Sequence, residues 1–187
     1  MQAPTDLDPN VSRQYACALS ELPQVEFVRA LDGIFEHSPW IAERTWLKRP
    51  FADAEALMDS LAQTLMEASP EEQLALIKAH PELAGRAAIA GELTVESAGE
   101  QASARLDACS AEEFARLHAL NAAYRERFGF PFILAVRGLD RRTIIERFAQ
   151  RVSCDPAEEF AEALRQIVRI ASLRLVVRIA ETLSAHQ

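Results

Sequence analysis

The chain has 187 residues, long enough to bury a real core within one domain, with 49% hydrophobic and 26% charged residues. Six glycines, set against plentiful alanine, leucine, glutamate and arginine, favour helices over a turn-rich β fold. A net charge of -8 repels phosphate backbones, which argues against nucleic acid as a partner unless basic residues cluster on one face.

In chain order, Met1 to Asn10 is polar and carries Pro4, Asp6, Asp8 and Pro9. It reads as a flexible tail through residue 12 rather than a signal peptide, with one helical domain expected over 13–187. Phe27, Val28, Leu31, Ile34 and Phe35 share one helix face, and Ser38-Pro39 breaks that predicted helix. Trp40 to Lys48 reads as a short second helix, and Leu57, Met58, Leu61 and Leu65 mark a third. Ser69-Pro70-Glu71-Glu72 supplies an N-cap, a proline at the first helical position and a glutamate at the third. The helix it starts runs into His80-Pro81, where proline disfavours helical geometry in the residue before it.

A further helix is predicted across Ser97 to Leu106, starting at Thr94 or Ser97. The capping grammar returns at Ser110-Ala111-Glu112-Glu113 and at Asp155-Pro156-Ala157-Glu158. The helix from about Ala111 to Phe128 carries Phe114, Leu117, Asn121, Tyr124 and Phe128 on one face, and Gly129 is placed to stop it in a left-handed cap. Phe130 to Val136 resembles a buried strand, but without an obvious partner strand it reads as an extended connector. Arg137, Arg141 and Arg142 lie among acidic residues and read as a solvated helix start. A last periodic segment, Pro156 to about Leu183, would span about 40 Å as a helix. The sum is an all-α, single-domain bundle of about eight or nine helices, with one buried extended connector and a long C-terminal helix.

Cys17, Cys109 and Cys154 are far apart and no CxxC exists, so reduced thiols in a cytoplasmic protein are the simplest reading. The chain end, Ser184-Ala185-His186-Gln187, shows no peroxisomal address, and no uncharged apolar run reaches transmembrane length, so no membrane partner is expected.

Four places invite a chemical reading beside a structural one. His80 ends a helix, where an imidazole ordinarily caps the last carbonyls and meets the helix dipole. Ser97-Ala98-Gly99-Glu100-Gln101 reads as a capping box or as a polar cluster at a helix start that could receive a small ligand. Asn121 lies on an apolar stripe, where its amide braces a buried backbone or faces a polar site. Arg174 follows Phe160, Leu164, Ile167 and Ala171 on one stripe; a guanidinium directed inward needs an anion from protein or ligand, and snorkelling to solvent is the other choice. HExxH, a glycine-rich phosphate loop and G-x-S-x-G are all absent. A metal site from His80, His118, Glu96 and Glu100 is not favoured, because neither histidine has a second ligand at the tight i, i+4 spacing.

The segments Phe35-Glu36-His37-Ser38-Pro39-Trp40, Ala79-His80-Pro81-Glu82-Leu83-Ala84-Gly85, Ser97-Ala98-Gly99-Glu100-Gln101, and Leu120-Asn121-Ala122-Ala123-Tyr124 through Phe128-Gly129-Phe130-Pro131-Phe132 together resemble one enzyme family. It is the 2-oxo-4-hydroxy-4-carboxy-5-ureidoimidazoline (OHCU) decarboxylase family, whose members make (S)-allantoin at the end of urate oxidation. The similarity runs from about residue 20 to residue 180. It implies an all-α homodimer with no metal or organic cofactor and OHCU as the small-molecule substrate. It assigns acid/base chemistry to His80 and its partner carboxylate to Glu100, with Ser97 and Gln101 lining the same pocket. His80-Pro81 and the backbone of Phe132, Ile133, Leu134, Ala135 and Val136 would contact the substrate ring and ureido group, and Arg174 matches a family arginine. Arg137 follows the connector in a region that varies among members, and its role is left open. The Tyr-Arg-Gly-Ser end of a fused hydroxyisourate hydrolase domain is absent, so one reaction step is expected. A helical binding or regulatory module and a metal-dependent hydrolase are the competing classes.

Overall fold

The computed structural model describes residues 7–85, 88 and 90–184. Among the described residues it is all-α: nine α-helices, two short 3-10 turns and no strand. The helices are α1 (Pro9–Glu21), α2 (Gln24–Ala30), α3 (Trp40–Thr45), α4 (Ala54–Met66), α5 (Pro70–Ala79), α6 (Val95–Ser103), α7 (Ala111–Phe128), α8 (Arg141–Arg151) and α9 (Pro156–Ser184). Two compact units form, one from the described residues up to Gln73 together with those from Val168, the other from Leu74–Ile167.

In the first unit, α1 starts at Pro9 because Asp8 accepts the Asn10 and Val11 amides at 2.8 and 3.3 Å, with proline at the first helical position. Residues 9–12, expected within the tail, are therefore helical, while the tail's first six residues lie outside the described residues. The helix expected through Phe35 stops at Ala30. Beyond it the chain turns through Gly33, whose φ of 79° suits a residue without a Cβ. Phe27, Leu31, Ile34 and Phe35 are nonetheless all buried, so their spacing tracked the core correctly and the helix only in part. They share the core with Ile41 of α3, Leu57, Leu61 and Leu65 of α4, and Ala171, Leu175 and Ile179 of α9. The Thr45 hydroxyl donates to Thr64 Oγ1 at 2.9 Å, and Thr64 donates onward to the Ser60 carbonyl at 2.8 Å, so a polar pair sits in this core with its bonds made.

The second unit is organised around Tyr124 on α7. Its ring lies 4.5 Å from Phe128, 5.4 Å from Phe132, 5.7 Å from Phe148 and 5.9 Å from Phe130, mostly edge to face, the arrangement aromatic quadrupoles favour. Ser110 and Glu113 close a capping box at the start of α7, and Gly129 ends it at φ 73°. Residues 131–136 then run without helix, turn or bend, all of 132–136 buried. This is the expected extended connector.

Candidate active site

The predicted box at Ser69 exists: Ser69 Oγ accepts the Glu72 amide at 3.3 Å, and Glu72 accepts the Ser69 amide at 3.1 Å. From there α5 runs to Ala79 and delivers His80, which is 7% exposed. The His80 amide donates to the Ile77 carbonyl at 3.2 Å, and ring Nδ1 lies 2.9 Å from the Leu76 carbonyl. A carbonyl only accepts, so Nδ1 carries the hydrogen, and in the neutral ring Nε2 is the nitrogen that takes and gives a proton. The cap reading and the chemical reading of His80 therefore fall on different nitrogens.

The loop after His80-Pro81 is held residue by residue. The Gln101 amide group donates to the Glu82 carbonyl at 3.3 Å and accepts from the Ala84 amide at 3.0 Å. Asn121 Nδ2 donates to the Leu83 carbonyl at 2.9 Å, and Arg125, one turn further along α7, pairs with the Glu82 carboxylate. Ala84 sits at φ 49°, a left-handed conformation costly for a residue with a Cβ. At Gly85 an added Cβ would come within 2.7 Å of Glu82 Cβ. Bonds on three consecutive residues thus hold a tight, locally strained loop directly behind His80. Asn121 is buried, and its Oδ1 has no hydrogen-bond partner among the described residues.

Helix α6 settles the cap ambiguity. Thr94 is the N-cap, its Oγ1 accepting the Ser97 amide at 3.3 Å, so Ser97 lies inside the first turn and Glu100 is not its capping partner. Ser97 and Gln101, four residues apart, are both buried on one face, and Glu100 on the adjoining face is partly exposed. Arg105, at φ 55°, stops the helix before the Leu106 that was expected to end it.

Side chains from two helices serve the connector. Arg151 Nη1 donates to the Ile133 carbonyl at 2.8 Å, and its guanidinium lies 4.5 Å over the Phe132 ring. The same guanidinium grips Glu159, with Nε 2.9 and 3.1 Å from the two carboxylate oxygens, and the Tyr124 hydroxyl donates to that carboxylate. Burial and the Glu159 carboxylate push the Tyr124 hydroxyl well above its ordinary pKa. On α9, Gln166 Oε1 accepts the Ala135 amide at 3.0 Å. None of Arg151, Glu159 and Gln166 stood out in the sequence. The available signals were an acid on the buried stripe of α9 and a connector whose backbone needed partners.

Arg174 belongs to the first unit, where Nη1 lies 2.8 Å from both the Glu36 carboxylate and the Gly33 carbonyl. Its side chain and that of Glu36 are 3% and 2% exposed. The anion it required is therefore protein: Glu36, in the Phe35–Trp40 segment, to which no role was assigned from sequence. Arg137 is exposed. Among the described residues no group of three His, Cys, Asp or Glu side chains is placed to hold a metal ion, and no helix is long and apolar enough to cross a membrane.

The fold and this constellation define an all-helical protein with a loop-anchored histidine, a polar helix face and a buried connector. The sequence profile of OHCU decarboxylase matches residues 20–176. The chain is 40% identical over 157 residues to 2-oxo-4-hydroxy-4-carboxy-5-ureidoimidazoline decarboxylase of Halalkalicoccus jeotgali, covering 84% of this chain and 87% of that one. To the Mus musculus protein of the same name it is 40% identical over 161 residues, covering 86% and 88%. A crystal structure of (S)-allantoin synthase superposes with a TM-score of 0.71 at 29% identity, covering 87% of this chain and 53% of that one, so the chain spans about half of that protein. The chain belongs to the OHCU decarboxylase family.

Proposed function

We propose that this chain decarboxylates OHCU to (S)-allantoin in urate degradation, with His80 and Glu100 as the chemical pair. The observation that carries this reading is the bond from His80 Nδ1 to the Leu76 carbonyl, which makes Nε2 the titrating nitrogen of a buried histidine.

Loss of carbon dioxide leaves an electron pair on the substrate carbon, and the conjugated imidazoline ring delocalises it. The substrate is its own electron sink, so the step calls for neither pyridoxal phosphate nor thiamine. The protein must hold the ring, favour departure of the carboxylate and deliver one proton to one face. His80 engages the substrate hydroxyl or the reacting carbon and supplies that proton, which fixes the configuration of the product. Glu100 orients and electrostatically tunes His80, or hydrogen-bonds the ring nitrogens. A carboxylate beside the leaving carboxylate also raises the ground-state energy. Pro81, Ser97, Gln101 and the connector from Phe132 to Val136 form the substrate contacts of this reading. Two features support them: the buried pair Ser97 and Gln101 on the helix of Glu100, and the bonds from Gln101 that hold Glu82 and Ala84 in the loop after Pro81. Arg174, already matched by Glu36, is left outside it.

The test adds the purified chain to urate undergoing oxidation by urate oxidase and hydroxyisourate hydrolase, with optical activity followed over time. The expected result is rapid growth of the (S)-allantoin circular dichroism signal. OHCU also decays spontaneously to racemic allantoin, so a signal no larger than the uncatalysed control overturns the proposal. Light scattering in the same preparation tests the homodimer, and fractionation of the producing cells tests a cytoplasmic location.

A further inference from the structure

We propose that Gln166 and Arg151 are positioning residues: they pin one edge of the connector so that the other presents the Leu134 N–H and C=O to the substrate's ureido group. This inference rests on the function proposed above. In an extended chain, successive residues direct their backbone groups to opposite edges, so residues 133 and 135 share one edge and 134 takes the other. The two side-chain bonds fall on a single edge: Arg151 on the Ile133 carbonyl at 2.8 Å and Gln166 on the Ala135 amide at 3.0 Å.

On the other edge, Leu134 is buried, and neither its N–H nor its C=O has a hydrogen-bond partner among the described residues. Buried backbone groups without partners are costly, and a donor and acceptor on one residue match a group offering an acceptor and a donor side by side. A ureido group offers a carbonyl flanked by N–H groups, so it pairs with Leu134 as an added strand pairs with a sheet edge.

The Gln166 amide is itself oriented. Its Nε2 donates to Glu162 Oε1 at 2.7 Å, which turns Oε1 toward Ala135. Glu162 is held in turn by Arg165 at 2.8 Å. Arg151 is similarly fixed by Glu159 and by the Phe132 ring. The connector therefore has a built edge and a presented edge.

The experiment uses the full chain with two alterations of α9. Gln166→Leu removes the bond to Ala135. The double variant Glu162→Gln with Gln166→Glu exchanges amide and carboxylate, so the residue at 166 still accepts the Ala135 amide and still receives a donor from 162. Steady-state kinetics on OHCU generated in place, (S)-allantoin binding by calorimetry, and the melting temperature are read for each. Gln166→Leu is expected to raise KM and the (S)-allantoin Kd by about tenfold with kcat within about threefold, the signature of lost uniform binding. The exchange is expected to restore KM to within about twofold of wild type.

A Gln166→Leu chain with wild-type KM and Kd overturns the proposal, even where its melting temperature falls, because a purely structural bond moves stability alone. An exchange that fails to restore KM also overturns it. Should Gln166→Leu not fold, Gln166→Ser shortens the side chain beyond reach of Ala135 and the same split is read. A wild-type chain that neither turns over OHCU nor binds (S)-allantoin removes the functional reading and this inference with it. An active wild type with an unchanged Gln166→Leu removes this inference alone.

Discussion

The Nδ1 of His80 closes the last turn of its helix on the Leu76 carbonyl at 2.9 Å, so the neutral ring carries its hydrogen on Nδ1 and its lone pair on Nε2. His80→Asn keeps an N–H donor near the place of Nδ1 and has nothing at the place of Nε2. Its melting temperature is expected to stay near wild type while turnover falls at least ~10²-fold. His80→Ala is expected to lose the same turnover and, in addition, about 1 kcal/mol of stability from the uncapped carbonyl. Urea unfolding and the circular dichroism assay for (S)-allantoin read the two effects separately. Near-normal (S)-allantoin formation by a folded His80→Asn chain ends the assignment.

Glu100 stands on the partly exposed side of α6 and Ser97 on its buried side, once Thr94 is the cap. A carboxylate retained there for helix capping alone would be replaceable. Glu100→Gln preserves shape and helix propensity, and it is expected to leave the unfolding midpoint almost unchanged while turnover falls at least ~10²-fold. Single-turnover measurements on OHCU check it, and retention of activity would show that the carboxylate charge has no part in the chemistry.

Local grammar made much of this fold legible. The boxes at Ser69 and Ser110, the Asp155 cap and the Gly129 stop each involve residues within a few positions of one another, and all formed. Periodicity at Phe27 to Phe35 predicted burial correctly for Phe27, Leu31, Ile34 and Phe35 and helix length wrongly, because a turn through Gly33 keeps those side chains inside while Val28 is half-buried. His80, Ser97, Glu100 and Gln101 became candidates through resemblance, since capping explained them equally well on residue chemistry. The partners that fix the connector, the loop after Pro81 and Arg174 were out of reach. Gln166 meets Ala135 across 31 positions, Asn121 meets Leu83 across 38 and Arg174 meets Glu36 across 138, and no spacing rule links such pairs.

Asn121 and Gln101 clamp the loop 82–84 from two helices, and one bond runs from Asn121 to the Leu83 carbonyl at 2.9 Å. Asn121→Ala removes that donor within the buried loop, and the expected cost is about 1–3 kcal/mol. Asn121→Asp should cost more, because a carboxylate oxygen would then face the carbonyl. Chemical denaturation orders the three chains. Equal stability of the alanine and aspartate variants would show that the Leu83 bond does not hold the loop.

The Tyr124 hydroxyl gives a pH dependence whose sign follows from its partners. Burial and the Glu159 carboxylate hold its folded pKa above the ordinary value of about 10, so the unfolded chain releases this proton at lower pH than the folded one. The stability this group contributes is complete below about pH 10 and is lost as pH rises from there toward the folded pKa, by up to ~1.4 kcal/mol per pH unit. Tyr124→Phe keeps the ring among Phe128, Phe132 and Phe148 but removes the bond to Glu159, which Arg151 continues to neutralise. It is expected to be less stable by about 1–3 kcal/mol at neutral pH. Above about pH 10 the gap between the two chains should narrow, because the phenylalanine variant has no proton there to lose. Urea titrations at neutral and alkaline pH measure this difference, and a gap that stays constant or widens would show that Tyr124 does not retain its proton in the folded state.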